Sequence, residues 1–133
     1  MLNRISFIGI TAVLLFITAG GYLCNGGGTP QFQITAIDCP VENIVLTVTA
    51  TKAGSTDRWT VTVNVNVKCN GVNIPNAEIK VTYLGVDYKT TTNATGDASS
   101  RIGPLHAPQA GNTGNVTVIG TGGNEKTAPF TVQ

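Results

Sequence analysis

The sequence predicts an all-β fold, a single Greek-key β-sandwich of about seven strands behind an N-terminal hydrophobic helix. Three observations carry this. Apolar and polar residues alternate with period two over several short runs, the mark of half-buried strands. Turn residues separate those runs every 8–12 positions, as in sandwiches of the immunoglobulin type. No segment after residue 24 shows a helical period. Composition agrees: charged residues are 11% of the 133, far below the usual share, while Thr, Val, Asn and Gly (16 of the last) dominate.

The first element is apolar. Ile5 to Leu23 runs almost without interruption behind Arg4, and no charged residue occurs from Ile5 to Ile37. Nineteen helical residues span roughly 28 Å, close to a bilayer core. The same pattern suits a secretory signal peptide, with Ile17-Thr18-Ala19 offering cleavage before Gly20. Cys24 opens the Gly-rich stretch Cys24-Asn25-Gly26-Gly27-Gly28, an arrangement that resembles a lipoprotein, with an acylated cysteine, a spacer and then a domain. Cleavage, a retained anchor and lipidation of Cys24 all remain open, and all three deliver the downstream domain to the outside. Residues 1–24 are therefore expected to be a signal peptide or anchor, 25–37 a tether with a lead-in strand, and 38–133 the domain.

The first hairpin comes next. Ile44, Leu46, Val48 and Ala50 alternate with Val45, Thr47, Thr49 and Thr51; Trp59 and Val61 to Val67 alternate with Thr60, Thr62, Asn64 and Asn66. Pairing Ala53 with Arg58 around Gly54-Ser55-Thr56-Asp57 places Leu46 opposite Val65 and Val48 opposite Val63, so that the two alternating apolar sets fall on one face. Trp59 then belongs to the core. Cys69 falls opposite Glu42, near Cys39. An exported domain meets an oxidising compartment, so a Cys39–Cys69 disulfide is expected, with a loop-closure contribution of about 3–4 kcal/mol. No CxxC or neighbouring His suggests redox or metal chemistry for the pair.

The remaining strands come at short spacing. Ala77 to Tyr83 alternates cleanly, and Tyr88 to Thr92 is a Thr-rich strand suited to a sheet edge. Ala98 to Ile102 is short, and Gly103 to Gly114 is a loop with Pro104 and Pro108. Asn115 to Gly120 and Lys126 to Val132 form a last hairpin. Two stretches carry a resemblance: Asn70-Gly71 through Ile74-Pro75-Asn76-Ala77 to Tyr83, and Thr90-Thr91-Thr92-Asn93-Ala94-Thr95-Gly96-Asp97-Ala98. They resemble the group 1 bacterial Ig-like domains of the invasin and intimin repeat type, and share part of the pattern of carboxypeptidase-regulatory-like, or transthyretin-like, modules. The resemblance spans roughly 44–133 and implies an immunoglobulin-like sandwich. It departs from the family near Asn93, where an acidic residue is usual, and in the long 103–114 loop.

Candidate chemistry is sparse. His106 stands alone in a Pro-containing loop, and the seven acidic residues are spread singly. Neither a nucleophile–base pair nor a calcium loop is written in the chain, and Gly26-Gly27-Gly28 lacks the strand and helix of a phosphate cradle. Eight basic residues against seven acidic ones, scattered, argue against nucleic acid. No enzyme, cofactor, metal or small-molecule substrate is expected. Two glycosylation sequons occur, Asn93-Ala94-Thr95 in a turn and Asn115-Val116-Thr117 at a strand start.

These features imply an exported, cell-surface module with a structural, adhesive or protein-interaction role. Its partners would be proteins, cell surfaces or copies of itself, with the membrane engaged through the N-terminal segment if retained. A second expectation is a subunit of an extracellular filament, in which the alternating segment 29–37 is donated to a neighbour's sheet. A third is a carbohydrate-binding sandwich, which requires exposed aromatic residues.

Overall fold

The computed structural model describes residues 32–133. The apolar leader, its expected helix, Cys24 and the tether as far as residue 31 lie outside the described residues. The strands are β1 (Ile44–Ser55), β2 (Arg58–Cys69), β3 (Val72–Asn73), β4 (Glu78–Tyr83), β5 (Val86–Thr91), β6 (Asp97–Leu105), β7 (Thr113–Ile119) and β8 (Glu125–Thr131). Single 3-10 turns at Val41–Asn43 and Thr121–Gly123 are the only helical pieces among the described residues.

The strands form two antiparallel sheets. In the first, β2 lies between β1 and β6, and the two-residue β3 pairs with β2 on the same side as β6; in the second the order is β5-β4-β7-β8. One apolar core joins them. β2 contributes Val61, Val63, Val65 and Val67, β4 Ile79, Val81 and Tyr83, β7 Val116 and Val118, and the last strand and tail Phe130 and Val132. Each fully buried valine adds about 1.5–3 kcal/mol relative to exposure. The sandwich and its alternation match the expectation, and β5 is indeed an edge strand.

Three expectations need correction. The hairpin register is displaced by two: Leu46 faces Val67, Val48 faces Val65 and Ala50 faces Val63. A two-residue step preserves every face, so hydrophobic alternation does not distinguish the two registers. The turn does, because Ser55 pairs with Arg58 and leaves only Thr56 and Asp57 to reverse the chain, Thr56 taking a φ of 60°. As a result Cys69 faces Ile44, not Glu42. Secondly, Trp59 is half-buried and lies outside the core; its indole N–H donates to the Thr56 carbonyl at 3.1 Å and closes the turn. Thirdly, the expected 103–114 loop is shorter, since β6 continues to Leu105 along β2 after an irregularity between Trp59 and Val61.

The Cys39–Cys69 disulfide forms, with 6.1 Å between the Cα atoms and a sequence separation of 30. It pins the lead-in chain to the end of β2, and Cys39 itself is fully buried. At the crossovers, buried polar side chains hold the chain. Thr92 donates its hydroxyl to the Ile74 carbonyl at 2.7 Å and accepts the Ala77 N–H at 2.8 Å, tying the β3–β4 link to the end of β5. Gln109, 2% exposed, accepts the Tyr83 hydroxyl at 2.6 Å and the Asn112 amide at 3.2 Å, and donates to the Ala107 carbonyl. The β6–β7 connection is thereby plugged into the core with its polar atoms paired.

One close approach depends on glycine. A Cβ at Gly114 would lie 2.6 Å from the Thr82 carbonyl oxygen and collide with the Phe130 ring, which stacks on Tyr83 at 5.9 Å between centroids. Gly114→Ala should cost about 1–3 kcal/mol through this overpacking, visible as a lower urea midpoint with an unchanged slope. Replacing both Cys39 and Cys69 by Ser should lower stability by about 3–4 kcal/mol. An equal midpoint for the oxidised wild type and the double variant would contradict that role.

Candidate functional site

Alternation that turns Ile44, Leu46, Val48 and Ala50 inward on β1, the valines inward on β2 and Ala98, Ser100 and Ile102 inward on β6 turns the intervening residues outward in register. One outward row runs Thr47, Asn66, Asp97 and the next Thr49, Asn64, Ser99. With Asn93 at the rim they line a shallow depression of about 380 Å³ on the outer face of the first sheet. Thr, Asn and Ser side chains line it with Val65 and Ala98 between them, so carbon atoms alternate with hydroxyl and carboxamide groups, and Asp97 supplies the single charge.

The rim is built by the β5–β6 turn. Asn93 Oδ1 accepts the backbone N–H of Thr95 at 2.9 Å and of Asp97 at 3.1 Å, the self-templating habit of an asparagine turn. The Thr95 hydroxyl lies 2.8 Å from both Asn93 Oδ1 and Asp97 Oδ2. Gly96 completes the reversal at φ 78°, where a Cβ would stand 2.9 Å from the Val67 carbonyl oxygen. Asn66 Nδ2 donates to Asp97 Oδ1 at 2.8 Å. That bond first, and then the Thr95 hydroxyl, holds the Asp97 carboxyl below its ordinary value. The site presents fixed neutral donors and acceptors beside one anion, a chemistry that binds polar surfaces by hydrogen bonds and supplies no nucleophile–base pair.

The lead-in segment occupies a different place. Ile34 is buried, Ala36 bridges Ile119 in parallel, and the Ile37 N–H donates to the Ile119 carbonyl at 2.7 Å. Glu78 Oε1 accepts the Thr35 N–H at 2.9 Å and pairs with Lys89 Nζ at 3.1 Å. These contacts, led by the Thr35 bond, lower the Glu78 carboxyl from its ordinary value. Over the described part of the 29–37 segment, residues 32–37, the expected period-two faces are not realised: Phe32 and Ala36 are exposed, and Ile37 rather than Ala36 leans on the core.

Other candidates are dispersed. His106 is exposed, its Nδ1 3.2 Å from the Asp57 carbonyl oxygen. Asn115 is exposed in the interior of β7, facing Thr82 on one side and Pro129 on the other. Cys24 lies outside the described residues. Among the described residues no three His, Cys, Asp or Glu side chains gather, and no helix is long and apolar enough to cross a membrane. A second depression, of about 460 Å³, opens between the edges of β1 and β8 over Val48, Ala50 and Phe130. The outward Thr and Asn positions of β1 and β2 were visible in the alternation, whereas the rows to which β6 contributes depend on long-range pairing.

Comparison with family models, with curated proteins and with solved structures finds no match.

The Glu78 contacts make the lead-in acid-sensitive. A carboxyl held lower in the folded state stabilises above its unfolded value, and that contribution disappears as pH falls through the folded value. The protection factor of the Thr35 amide, its exchange rate taken against the intrinsic rate at each pH, should therefore fall on acidification through and below the carboxylate range, while those of the β2 amides stay high. Glu78→Gln should remove the pH dependence at Thr35, and an unchanged profile in that variant would sink the assignment.

Proposed function

We propose that the chain is an exported, cell-surface immunoglobulin-like module that serves as a structural, adhesive or protein-interaction domain and performs no catalysis. The observation that carries this is the self-completion of the domain at its N-terminal end. Residues 34–39 pack on their own sheet, bridge Ile119 and end in the Cys39–Cys69 disulfide, leaving the preceding Gly-rich stretch to serve as a tether. The uncharged apolar run behind Arg4 supports export, and a buried disulfide suits an oxidising compartment. The division of the seven long strands into three and four, with β5 beside β4 in the second sheet, supports the immunoglobulin-like type that the sequence motifs resemble. Its partners are proteins or cell surfaces, including further copies of itself, with the membrane engaged through the N-terminal segment where that is retained.

The donated-strand filament is less well supported, because the lead-in satisfies its own domain from Ile34 onward. A carbohydrate platform of aromatic rings is not favoured either: Tyr83 and Phe130 are buried, Trp59 and Tyr88 are half-buried, and Phe32 stands apart on the lead-in.

Protein recovered from the cells that make it should fractionate to the surface or the medium, with Cys39 and Cys69 oxidised in its intact mass. Negative-stain images should show single small particles. Recovery from the cytosol with free thiols would overturn export, and ordered filaments would favour strand donation from 29–37.

A further inference from the structure

We infer that Asn93 is a glycan attachment site and that the depression beside it is the bed on which the first sugars lie. The inference rests on export, since the carrier-linked sugar donor is met on that route. Three features of the turn support it.

Asn93 is exposed and heads a sequon whose threonine is already placed: the Thr95 hydroxyl is 2.8 Å from Asn93 Oδ1. That oxygen is held by the Thr95 and Asp97 N–H groups, so the carboxamide orientation is set. Among the described residues no hydrogen bond uses its Nδ2, the atom to be modified, which remains available at the surface.

The second sequon lacks this setting. Asn115 stands in a strand paired on both sides, opposite Thr82 and Pro129. Its backbone is committed to the β4–β7–β8 ladder, and no turn presents it.

The surface next to Asn93 also has the matching chemistry. A sugar offers hydroxyls that both donate and accept. Thr47, Thr49, Asn64 and Ser99 present hydroxyls and carboxamides of the same dual character. They line about 380 Å³, within the range of small-ligand clefts, and Asn93 is itself part of that lining. A glycan on its Nδ2 therefore starts at the rim and has beside it a floor that mixes hydroxyl and carboxamide groups with the Asp97 carboxylate and the apolar Val65 and Ala98, which suits the polar edges and apolar faces of a sugar ring.

The step is a glycosyl transfer from a lipid-phosphate-linked oligosaccharide. The Nδ2–C1 bond forms as the C1–O bond to the carrier phosphate breaks. The lipid phosphate departs with the bonding electron pair, and the one proton that Nδ2 loses is released to solvent.

The test uses the full chain made in its own cells and measured by intact mass with glycopeptide mapping. The wild type should carry a mass excess of sugar residues on the peptide containing Asn93. Asn93→Gln and Thr95→Val should abolish it, and Asn115→Gln should keep it. Thr95→Val leaves the Asn93 carboxamide in place, so loss of the excess there does not depend on whether Asn93→Gln folds. Enzymatic removal of the glycan should shift the amide resonances of Asn64 and Ser99 and leave those of β4 unmoved. A surface-located, oxidised protein with no sugar mass overturns this inference while leaving export intact; cytosolic protein overturns both. Sugar mass that persists without Asn93 also overturns it, and shifts confined to the Asn93 turn refute the bed.

Discussion

The central position of β2 is the constraint on which the molecule depends. Val61, Val63, Val65 and Val67 are each at most 2% exposed, and they face the same interior as Ile79, Val81, Val116 and Val118. With side chains alternating at period two, a one-residue slip would send this whole set into water. The inward valines also dictate the outer face. Residues between them must point outward, and because β1 and β6 flank β2 in register, their Thr, Asn and Ser side chains form rows. The polar depression is thus a by-product of core packing, given its rim by the Asn93 turn.

A sandwich held only by its middle would fray at the crossovers, where backbone groups leave the ladders. Thr92 and Gln109 are buried polar residues whose partners lie across those crossovers, in the β3–β4 link and the β6–β7 connection. An unpaired buried amide or hydroxyl costs about 1–3 kcal/mol, so their pairing ties connection to core. The disulfide performs a similar task covalently for the lead-in chain, and Glu78 adds a charge-assisted bond at Thr35.

Strand existence and facing were legible because they are local properties of alternation. The faces of Ile44 to Ala50 and of Val61 to Val67 came out right even though the pairing was displaced by two, since both registers bury the same residues. Turn closure at Thr56 and Asp57 selected between them. Trp59 illustrates the opposite limit. Its position continued the apolar face, yet strand position does not report where a sheet ends, and at that end the indole serves the turn. Segment 29–37 misled for a related reason. Its alternation is genuine in the sequence, but from Ile34 onward the chain meets Ile119 and Glu78 in an irregular path that no local period anticipates.

The candidate site divides along the same line. The Asn93 turn is local, and its asparagine, threonine and glycine announce it in the sequence. Its neighbours are not, because Thr49, Asn64 and Ser99 are far apart in the chain and meet only when β6 pairs with β2. By itself the sequence determined an all-β chain with an apolar leader, an inward and an outward face for each main strand, and a cysteine pair suited to an oxidising compartment. These properties come from side-chain period and composition. Tertiary structure alone decided the register, the strand order, the anchoring of the lead-in and the surface gathered beside Asn93. Each is a choice among long-range pairings that bury similar apolar area, and specific turns and polar contacts make that choice.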